Sequence, residues 1–486
     1  MKEAKFKSKI LNATKWSTIT ELLARLVMPI TNIVLARLLT PEAFGVVATI
    51  IMIMSFAEIF TDAGFQKYII QREFKNEKDL YKNATVAYWT NLIISLFLWG
   101  GISVFSESLA VIVGNPGLGI VIIVAGMSLP LIACSSIQMA IYRRNFDYKT
   151  LFFVRTVGIF IPFVITIPLA LGGFSYWALV IGTICGNLAN AIILNWKSSW
   201  RPNWFYSISL LKEMISFSMW SLVEAISIWL TSWSGTFIVA TVLSTYYLGI
   251  YKTSMTTVNG IMGIITGATT SILFSSLSRL QNNEAEYNKT FFTFQRIVGV
   301  FVLPMGVGIY MYSDLITTIL LGSQWEEASL FIGLWGLTSS ISIIFAHYSS
   351  EVYRSKGKPK LSFFAQILHL VVMIPVLIIS ANYTFTTLVY ARSLVRFQFI
   401  IVHFILMYFV IKISPWKMIK NVFPSIICAS LMGVLAYFLQ QLKTGMLWDF
   451  ISIGICVVFY FSINMVFPSN RNVFSRLIKK KLKVKK

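Results

Sequence analysis

Long, continuously apolar stretches recur from one end of the chain to the other, and short polar segments separate them. Each stretch has about 20 residues, which as an α-helix crosses a hydrocarbon core about 30 Å thick. Transmembrane β-strands would instead alternate apolar and polar residues over short segments. The pattern therefore predicts an all-α polytopic membrane protein with about fourteen transmembrane helices.

The predicted spans account for most of the chain and leave only short connections, so no extramembrane domain is expected between them. In chain order the spans cover residues 16–39, 43–61, 84–105, 118–141, 151–171, 176–196, 214–243, 250–271, 291–312, 328–349, 361–380, 385–409, 421–441 and 447–467.

Composition agrees with this interpretation, since 56% of the 486 residues are hydrophobic and only 12% are charged. The net charge is +22, from 41 Lys and Arg against 19 Asp and Glu. About 33 basic residues fall on the side of the N-terminus, about 3 on the other side and about 5 within spans. Because basic loops stay in the cytoplasm, both termini are predicted to be cytoplasmic.

The same distribution argues against nucleic acid as a partner, because its binding needs basic residues gathered on one folded surface. Here they are dispersed over short loops next to the membrane. The basic tail, residues 468–486, can attract anionic lipid headgroups, although a solvated tail is the simpler interpretation.

An offset of about 204 residues aligns the first and seventh spans without a gap and indicates an internal repeat. Trp16 then meets Trp220, and Gly45 meets Gly249. Six spans separate the copies, so the repeat predicts two parallel six-helix lobes around a central cavity, followed by two extra helices. The predicted divisions are an N-terminal lobe (1–212), a C-terminal lobe (213–412), the two extra helices (413–467) and the tail (468–486).

The sequence lacks the common motifs of nucleotide-binding and hydrolytic enzymes, since it has no P-loop, zinc-protease or serine-hydrolase signature. The four cysteines lie singly in apolar runs, so neither a metal site nor a cofactor is expected. His347, His369 and His403 also lie singly in apolar helices, where a packing role is the simpler interpretation. The sequence therefore predicts a transporter and not an enzyme.

Charged residues inside spans are the functional candidates, because they are costly in a bilayer. Arg25 lies about 13 Å deep, and Arg392 and Arg396 lie about 10 and 16 Å deep on one helix face. Such arginines need a wet cavity, a counter-ion or an anion between them. Glu21, one turn before Arg25, offers the alternative of a structural ion pair.

Carboxylates in or near spans are candidates for coupling transport to a proton or sodium ion. They are Glu21, Glu58, Asp62 and Glu224, and for each a structural role in helix packing is the alternative. Pro29 removes a backbone donor inside the first span, so it is a candidate hinge, against the alternative of a passive bend.

Three segments carry a family resemblance: Leu35-Ala36-Arg37-Leu38-Leu39-Thr40-Pro41-Glu42-Ala43-Phe44-Gly45, Asp62-Ala63-Gly64-Phe65 and Leu320-Leu321-Gly322-Ser323-Gln324-Trp325. With these the sequence resembles the Wzx-type polysaccharide and O-antigen flippases of the multidrug/oligosaccharidyl-lipid/polysaccharide exporter superfamily. The resemblance implies two six-helix lobes around a cavity. It also implies movement of undecaprenyl-pyrophosphate-linked oligosaccharide from the inner to the outer leaflet of a bacterial cytoplasmic membrane.

The arginines fit that implied substrate, because a pyrophosphate crossing hydrocarbon needs cations. We therefore predict that Arg25, Arg392 and Arg396 face the central cavity and bind the lipid pyrophosphate through their guanidinium forks. A multidrug/cation antiporter of the same fold is one alternative, although it would be expected to present carboxylates and aromatic residues to a cationic drug, whereas the deepest charges here are mostly arginines. A membrane glycosyltransferase or polymerase is the other, although the sequence lacks a sizeable external loop.

Overall fold

The computed structural model describes residues 2–62, 64–468 and 470–471, and every regular element among them is helical. Thirteen described helices are long and apolar enough to cross a membrane, and they correspond to the second to fourteenth predicted spans. The first predicted span falls in the first helix, where a shorter apolar stretch covers Val27–Leu38. The prediction of a polytopic helical membrane protein is confirmed.

The chain forms two compact units, Met1–Lys252 and Thr253–Lys486, called unit 1 and unit 2 below. Unit 1 contains α1 (Lys2–Leu38), α2 (Pro41–Asp62), α3 (Phe65–Gln71), α4 (Glu77–Val104), α5 (Ser106–Ile112), α6 (Gly119–Gly126), α7 (Ser128–Arg144), α8 (Tyr148–Ile161), α9 (Ile167–Leu171), α10 (Tyr176–Lys197), α11 (Ile208–Val242) and the start of α12 (Thr245–Arg279). A π-helical turn, Pro162–Thr166, joins α8 to α9.

Unit 2 contains the rest of α12, then α13 (Glu284–Met311), α14 (Ser313–Leu320), α15 (Ala328–Ser342), α16 (Tyr348–Ser355), α17 (Lys360–Ala381), α18 (Phe385–Leu406), α19 (Pro415–Leu442) and α20 (Met446–Val466). The π-helical turn Ile343–His347 joins α15 to α16, and another, Met407–Ile411, extends α18.

The compact units meet after Lys252, whereas the sequence repeat predicts a lobe boundary after residue 212. Helix α11, the first helix of the predicted second lobe, packs on α2 in unit 1, where Trp229 Nε1 donates to Ser55 Oγ at 3.0 Å. The lobe boundaries at residues 212, 412 and 467 therefore stay predictions.

Helices α4 and α13 carry the repeat most clearly, since both have 28 residues and both begin after an asparagine cap. Asn76 Oδ1 accepts the backbone N–H of Asp79 at 2.9 Å, and Asn283 Oδ1 accepts that of Glu286 at 3.2 Å. A capped helix start is locally encoded, so the two copies begin their helices by the same means.

A second trace of the repeat is a reciprocal contact between the starts of α2 and α12, within unit 1. A Cβ added to Gly45 would lie 2.0 Å from the carbonyl oxygen of Thr245, and one added to Gly249 would lie 1.8 Å from that of Pro41. Pro41 and Thr245 are themselves related by the offset of about 204 residues. The repeated glycine therefore allows two helix backbones to approach each other closely.

Arg144, in the last turn of α7, has a structural role. Its Nη1 donates to the carbonyl oxygens of Ile69, Ile70 and Arg72 at 2.8, 3.1 and 2.6 Å, which pairs acceptors at the end of α3. The guanidinium also lies 4.8 Å from the ring centroid of Phe74.

Candidate anion-binding site

Two arginines of α18 converge on one tryptophan of α15, within unit 2. The Cζ of Arg392 lies 4.9 Å from the Trp335 ring centroid, and that of Arg396 lies 3.3 Å from it. Both arginines are half-buried. Residues four apart share a helix face, so α18 presents two guanidinium groups to the same indole.

Trp335 gives these like charges a common partner. The indole is 1% exposed, and its Nε1 donates to Asn259 Oδ1 at 3.4 Å. Arg396 also donates through Nη1 to Ser339 Oγ, one turn further along α15. A cation over a desolvated indole face gains about 2 kcal/mol. The ring therefore offsets part of the repulsion between the arginines and fixes where they lie.

Glycines at the contact between α13 and α15 allow these two helices to pack closely next to Trp335. A Cβ added to Gly306 would lie 2.2 Å from Ser340 Oγ, and one added to Gly336 would lie 2.4 Å from Ile309 Cγ2. Neither helix could approach so closely with larger residues at these points. Trp335 therefore belongs to a helix, α15, that is tightly packed against its neighbour α13.

Unit 1 has a related arrangement that the sequence analysis missed. Lys252 Nζ lies 3.8 Å from the ring centroid of Trp233, across the turn between α11 and α12. The predicted span begins at residue 250, whereas α12 begins at Thr245, so Lys252 lies about two helical turns from the helix start. Its place on the external side, which the distribution of basic residues predicts, stays a prediction.

The third predicted arginine, Arg25, belongs to α1. The side chain of Arg25 lies outside the described part of the chain, so its part in anion binding stays a prediction. Glu21 is exposed on α1. Helix α1 continues through Pro29, which is also exposed, up to Leu38, so the proline does not end the helix. Its role as a hinge stays a prediction.

The other predicted coupling carboxylates lie on α2 and α11. Glu58 is half-buried on α2, and its carbonyl oxygen accepts the hydroxyl of Thr61 at 2.9 Å. The side chains of Asp62 and Glu224 lie outside the described residues. Coupling through any of these carboxylates therefore remains a prediction.

The three histidines occupy neighbouring helices of unit 2, although the sequence placed each of them alone. His369 is 6% exposed and His403 is fully buried, and each imidazole has a polar partner within 3.0 Å. Within the described residues, no group of three or more His, Cys, Asp or Glu side chains is arranged to hold a metal ion.

Comparison with known proteins establishes the relationship. Residues 34–330 match a protein family described as "Polysaccharide biosynthesis protein". The chain belongs to this polysaccharide biosynthesis family. The match ends before Arg392 and Arg396, so membership leaves the arginine site to be judged on its own geometry.

Curated relatives of this family member come from several bacteria. The succinoglycan biosynthesis transport protein ExoT of Rhizobium meliloti (strain 1021) is 22% identical over 63% of this chain and 62% of its own length. The lipopolysaccharide biosynthesis protein WzxC of Escherichia coli (strain K12) is 20% identical over 66% and 65%. The chain thus spans slightly less than two thirds of each. The teichuronic acid biosynthesis protein TuaB of Bacillus subtilis (strain 168) is 20% identical over 73% of both.

Solved structures show the fold of this family member. The lipid II flippase MurJ, in an inward closed conformation, has a TM-score of 0.76 at 15% identity and covers 94% of this chain and 99% of its own. An inward-facing MATE multidrug transporter of the MOP superfamily has a TM-score of 0.59 at 14% identity, over 84% and 98%. The fold that the sequence resemblance implies is confirmed.

Proposed function

We propose that this chain is a flippase that moves an undecaprenyl-pyrophosphate-linked oligosaccharide from the inner to the outer leaflet of the bacterial cytoplasmic membrane by alternating access. The observation that carries the proposal is the pair Arg392 and Arg396 over buried Trp335, within a membrane-spanning helix. The names of the relatives, which include polysaccharide and lipopolysaccharide biosynthesis proteins, support the substrate class.

The arginine pair suits a pyrophosphate for a geometric reason. An oxyanion binds at the N–H edge of a guanidinium, often through two parallel hydrogen bonds, whereas an indole stacks on its face. Stacking on Trp335 is therefore compatible with anion binding. Two guanidinium groups one helical turn apart can each engage one phosphate of a pyrophosphate.

The same charges argue against the multidrug/cation antiporter as an alternative. A cationic drug would be repelled by two stacked arginines, and each arginine costs at least about 2.5 kcal/mol at the centre of a spanning helix. A site kept at that cost should serve an anion. We accordingly propose that the chain is a transporter and not a glycosyltransferase or polymerase. We also propose that a proton or sodium ion is its coupling cation.

Binding by the purified protein in lipid nanodiscs tests this assignment. Undecaprenyl pyrophosphate should bind saturably, and proteoliposomes should not move the cationic dye ethidium. Ethidium transport without pyrophosphate binding would support the antiporter instead. The variant Arg201→Ala removes an exposed arginine in the connection before α11. It serves as the control for a general loss of positive charge.

The orientation is part of the same proposal, with both termini and the basic loops in the cytoplasm. Single cysteines at Ser323 and Lys443, which are exposed, should react with an impermeant thiol reagent from outside the cell, in a background whose native cysteines are replaced. Cysteines at Lys78 and Lys358, also exposed, should react only after the membrane is opened. External reaction at Lys78 would reverse the orientation.

A further inference from the structure

The histidines of this chain form a cluster that the proposed transport step does not yet use. The chain has three histidines, and all three lie in unit 2. His347 ends the π-helical turn between α15 and α16, His369 lies on α17, and His403 lies on α18. The rings of His369 and His403 both contact the ring of Phe399 on α18. A π-helical turn inside a helix is frequent at functional sites.

His403 is the most enclosed member. Its ring stacks on that of Tyr353, with 10° between the planes, and its Nδ1 lies 3.0 Å from the Tyr353 hydroxyl. The residue is fully buried, and Nε2 has no hydrogen-bond partner within the described part of the chain. A buried imidazole nitrogen without a partner is unfavourable, and such a group calls for an explanation.

His369 is held in one tautomer by its neighbour. Gln398 donates through Nε2 to the carbonyl oxygen of Leu368 at 3.3 Å, which leaves Gln398 Oε1 to accept from His369 Nδ1 at 3.0 Å. The basic nitrogen of His369 is therefore Nε2. The ring of Phe399 lies between the two imidazoles, 4.7 Å from His369 and 4.6 Å from His403 between centroids.

Other titratable groups surround the cluster on the helices that pack against α18. Tyr353 faces His403 from α16, which also carries Arg354. Glu351, which is buried on the same helix, pairs with Arg354 at 3.2 Å. His347 Nε2 lies 3.0 Å from Thr270 Oγ1 on α12. The cation nearest to His369 along α18 is Arg396, which lies two residues before Gln398, the hydrogen-bond partner of His369.

One face of α18 connects the arginines to the histidines. Arg392, Arg396, Phe399 and His403 follow one another at intervals of four, three and four residues. This spacing keeps all four on one stripe of an α-helix. The anion site and His403 therefore lie along the same stripe, and His369 on α17 contacts Phe399 within it.

We propose that His369 and His403 form a proton-binding site that is linked to anion occupancy at Arg392 and Arg396. With the arginines unoccupied, their charge disfavours a third cation nearby. A bound pyrophosphate neutralises that charge and favours protonation of an imidazole. Linkage is reciprocal, so protonation must in turn strengthen anion binding. This inference rests on the proposed function and assigns its coupling cation as a proton held in unit 2.

The linkage has a measurable sign. Because the protonated form binds the anion better, affinity is highest at acidic pH and weakens as pH rises through the range in which the bound form loses its proton. One fully linked proton changes affinity by up to about tenfold per pH unit. Binding should therefore be accompanied by net proton uptake from the buffer.

Calorimetry of the full chain in lipid nanodiscs tests this, with undecaprenyl pyrophosphate as the probe and two buffers of different ionisation enthalpy. The wild type should take up a substantial fraction of one proton near pH 7. His369→Gln and His403→Gln should each at least halve that uptake. His347→Gln is the matched comparison and should retain it, because His347 lies in the π-helical turn after α15 and not on the stripe of α18 that carries Arg392 and Arg396.

A second measurement does not depend on the variants being folded. In wild-type protein labelled with ¹³C at histidine Cε1, all histidine signals come from this cluster, since the chain has no other histidine. Adding the probe should move the titration of at least one signal to higher pH. Binding with no proton uptake and unchanged titrations would overturn this inference alone. Failure of the probe to bind at any pH would overturn the proposed function and this inference with it.

Discussion

Each unit places a cation over a tryptophan inside a membrane-spanning helix, but the two arrangements differ in chemistry. Unit 1 uses one ammonium, Lys252 over Trp233, whereas unit 2 uses two guanidinium groups over Trp335. An ammonium is a compact point charge, and a guanidinium offers a planar fork that matches phosphate oxygens. The difference suggests that unit 2 recognises the anion and that unit 1 supplies general attraction.

The units also differ in where their other ionisable groups lie. The carboxylates predicted for ion coupling, Glu21, Glu58, Asp62 and Glu224, all belong to unit 1, and the three histidines all belong to unit 2. If the proton site lies beside the arginine pair, then binding and coupling share one helix, α18. Replacement of the carboxylates would then leave proton linkage in place.

The largest effect should come from Arg396→Ala, which removes the cation nearest Trp335. We expect polysaccharide export to fall about a hundredfold, because two charge-assisted hydrogen bonds contribute about 3 kcal/mol. Arg396→Lys should restore export only in part, since it lacks the fork. Export can be measured in cells that lack the native gene, with membrane levels checked by immunoblot. If Arg396→Ala exported as much polysaccharide as the control Arg201→Ala, Arg396 would not be essential for export.

The glycine contacts of the two units should differ in their cost. Gly249→Ala in unit 1 places a methyl group 1.8 Å from a backbone carbonyl oxygen, which cannot move aside easily. We expect a loss of about 1–3 kcal/mol in stability, seen as a lower melting temperature. Gly433→Ala in unit 2 meets only Val307 Cγ1 at 3.0 Å and should cost less. Gly260→Ala, with nothing within 4 Å, is the control. A melting temperature for Gly249→Ala equal to that of Gly260→Ala would refute the close contact.

Trp335→Phe should have an intermediate effect, because a phenyl ring attracts cations less strongly than an indole and cannot donate to Asn259. We expect the affinity for undecaprenyl pyrophosphate to weaken about threefold to tenfold, from a loss of about 1 kcal/mol. Trp233→Phe is the equivalent change in unit 1 and should weaken binding less. The comparison between the units fails if the two variants have the same affinity.

Lys252→Met should have the smallest effect of these changes, since one ammonium over one ring contributes about 0.5–1 kcal/mol where it is partly exposed. We expect export to fall no more than about fivefold, and Lys252→Arg to retain it. The assay is the same as for Arg396. A loss as large as that of Arg396→Ala would place anion recognition in unit 1 as well.

The hydrophobic pattern was sufficient for the spans, because transmembrane helices must satisfy their backbone hydrogen bonds within themselves and read as continuous apolar runs. The hydrophobic pattern predicts the thirteen spanning helices of the described residues, and the four-residue spacing predicts that Arg392 and Arg396 share a helix face. The start of α12 was placed at residue 250 instead of Thr245, since apolar content alone does not locate a helix start.

The partners of the site residues could not be predicted from the sequence, because they depend on which helices pack together. Trp335 and Arg396 are 61 residues apart along the chain and meet only because α15 packs on α18. The histidines gather for the same reason. Each one looks like a packing residue within its own helix, and only tertiary contacts bring three of them together.

Flipping by the purified protein is the most direct test of the central claim, that Arg392 and Arg396 recognise a lipid pyrophosphate. Proteoliposomes would carry a fluorescent undecaprenyl-pyrophosphate-linked sugar, and its arrival in the outer leaflet would be followed by quenching from outside. We predict that wild type and Arg201→Ala move the lipid and that the double variant Arg392→Ala, Arg396→Ala does not, although it inserts and folds. Movement by the double variant at the wild-type rate would contradict the account.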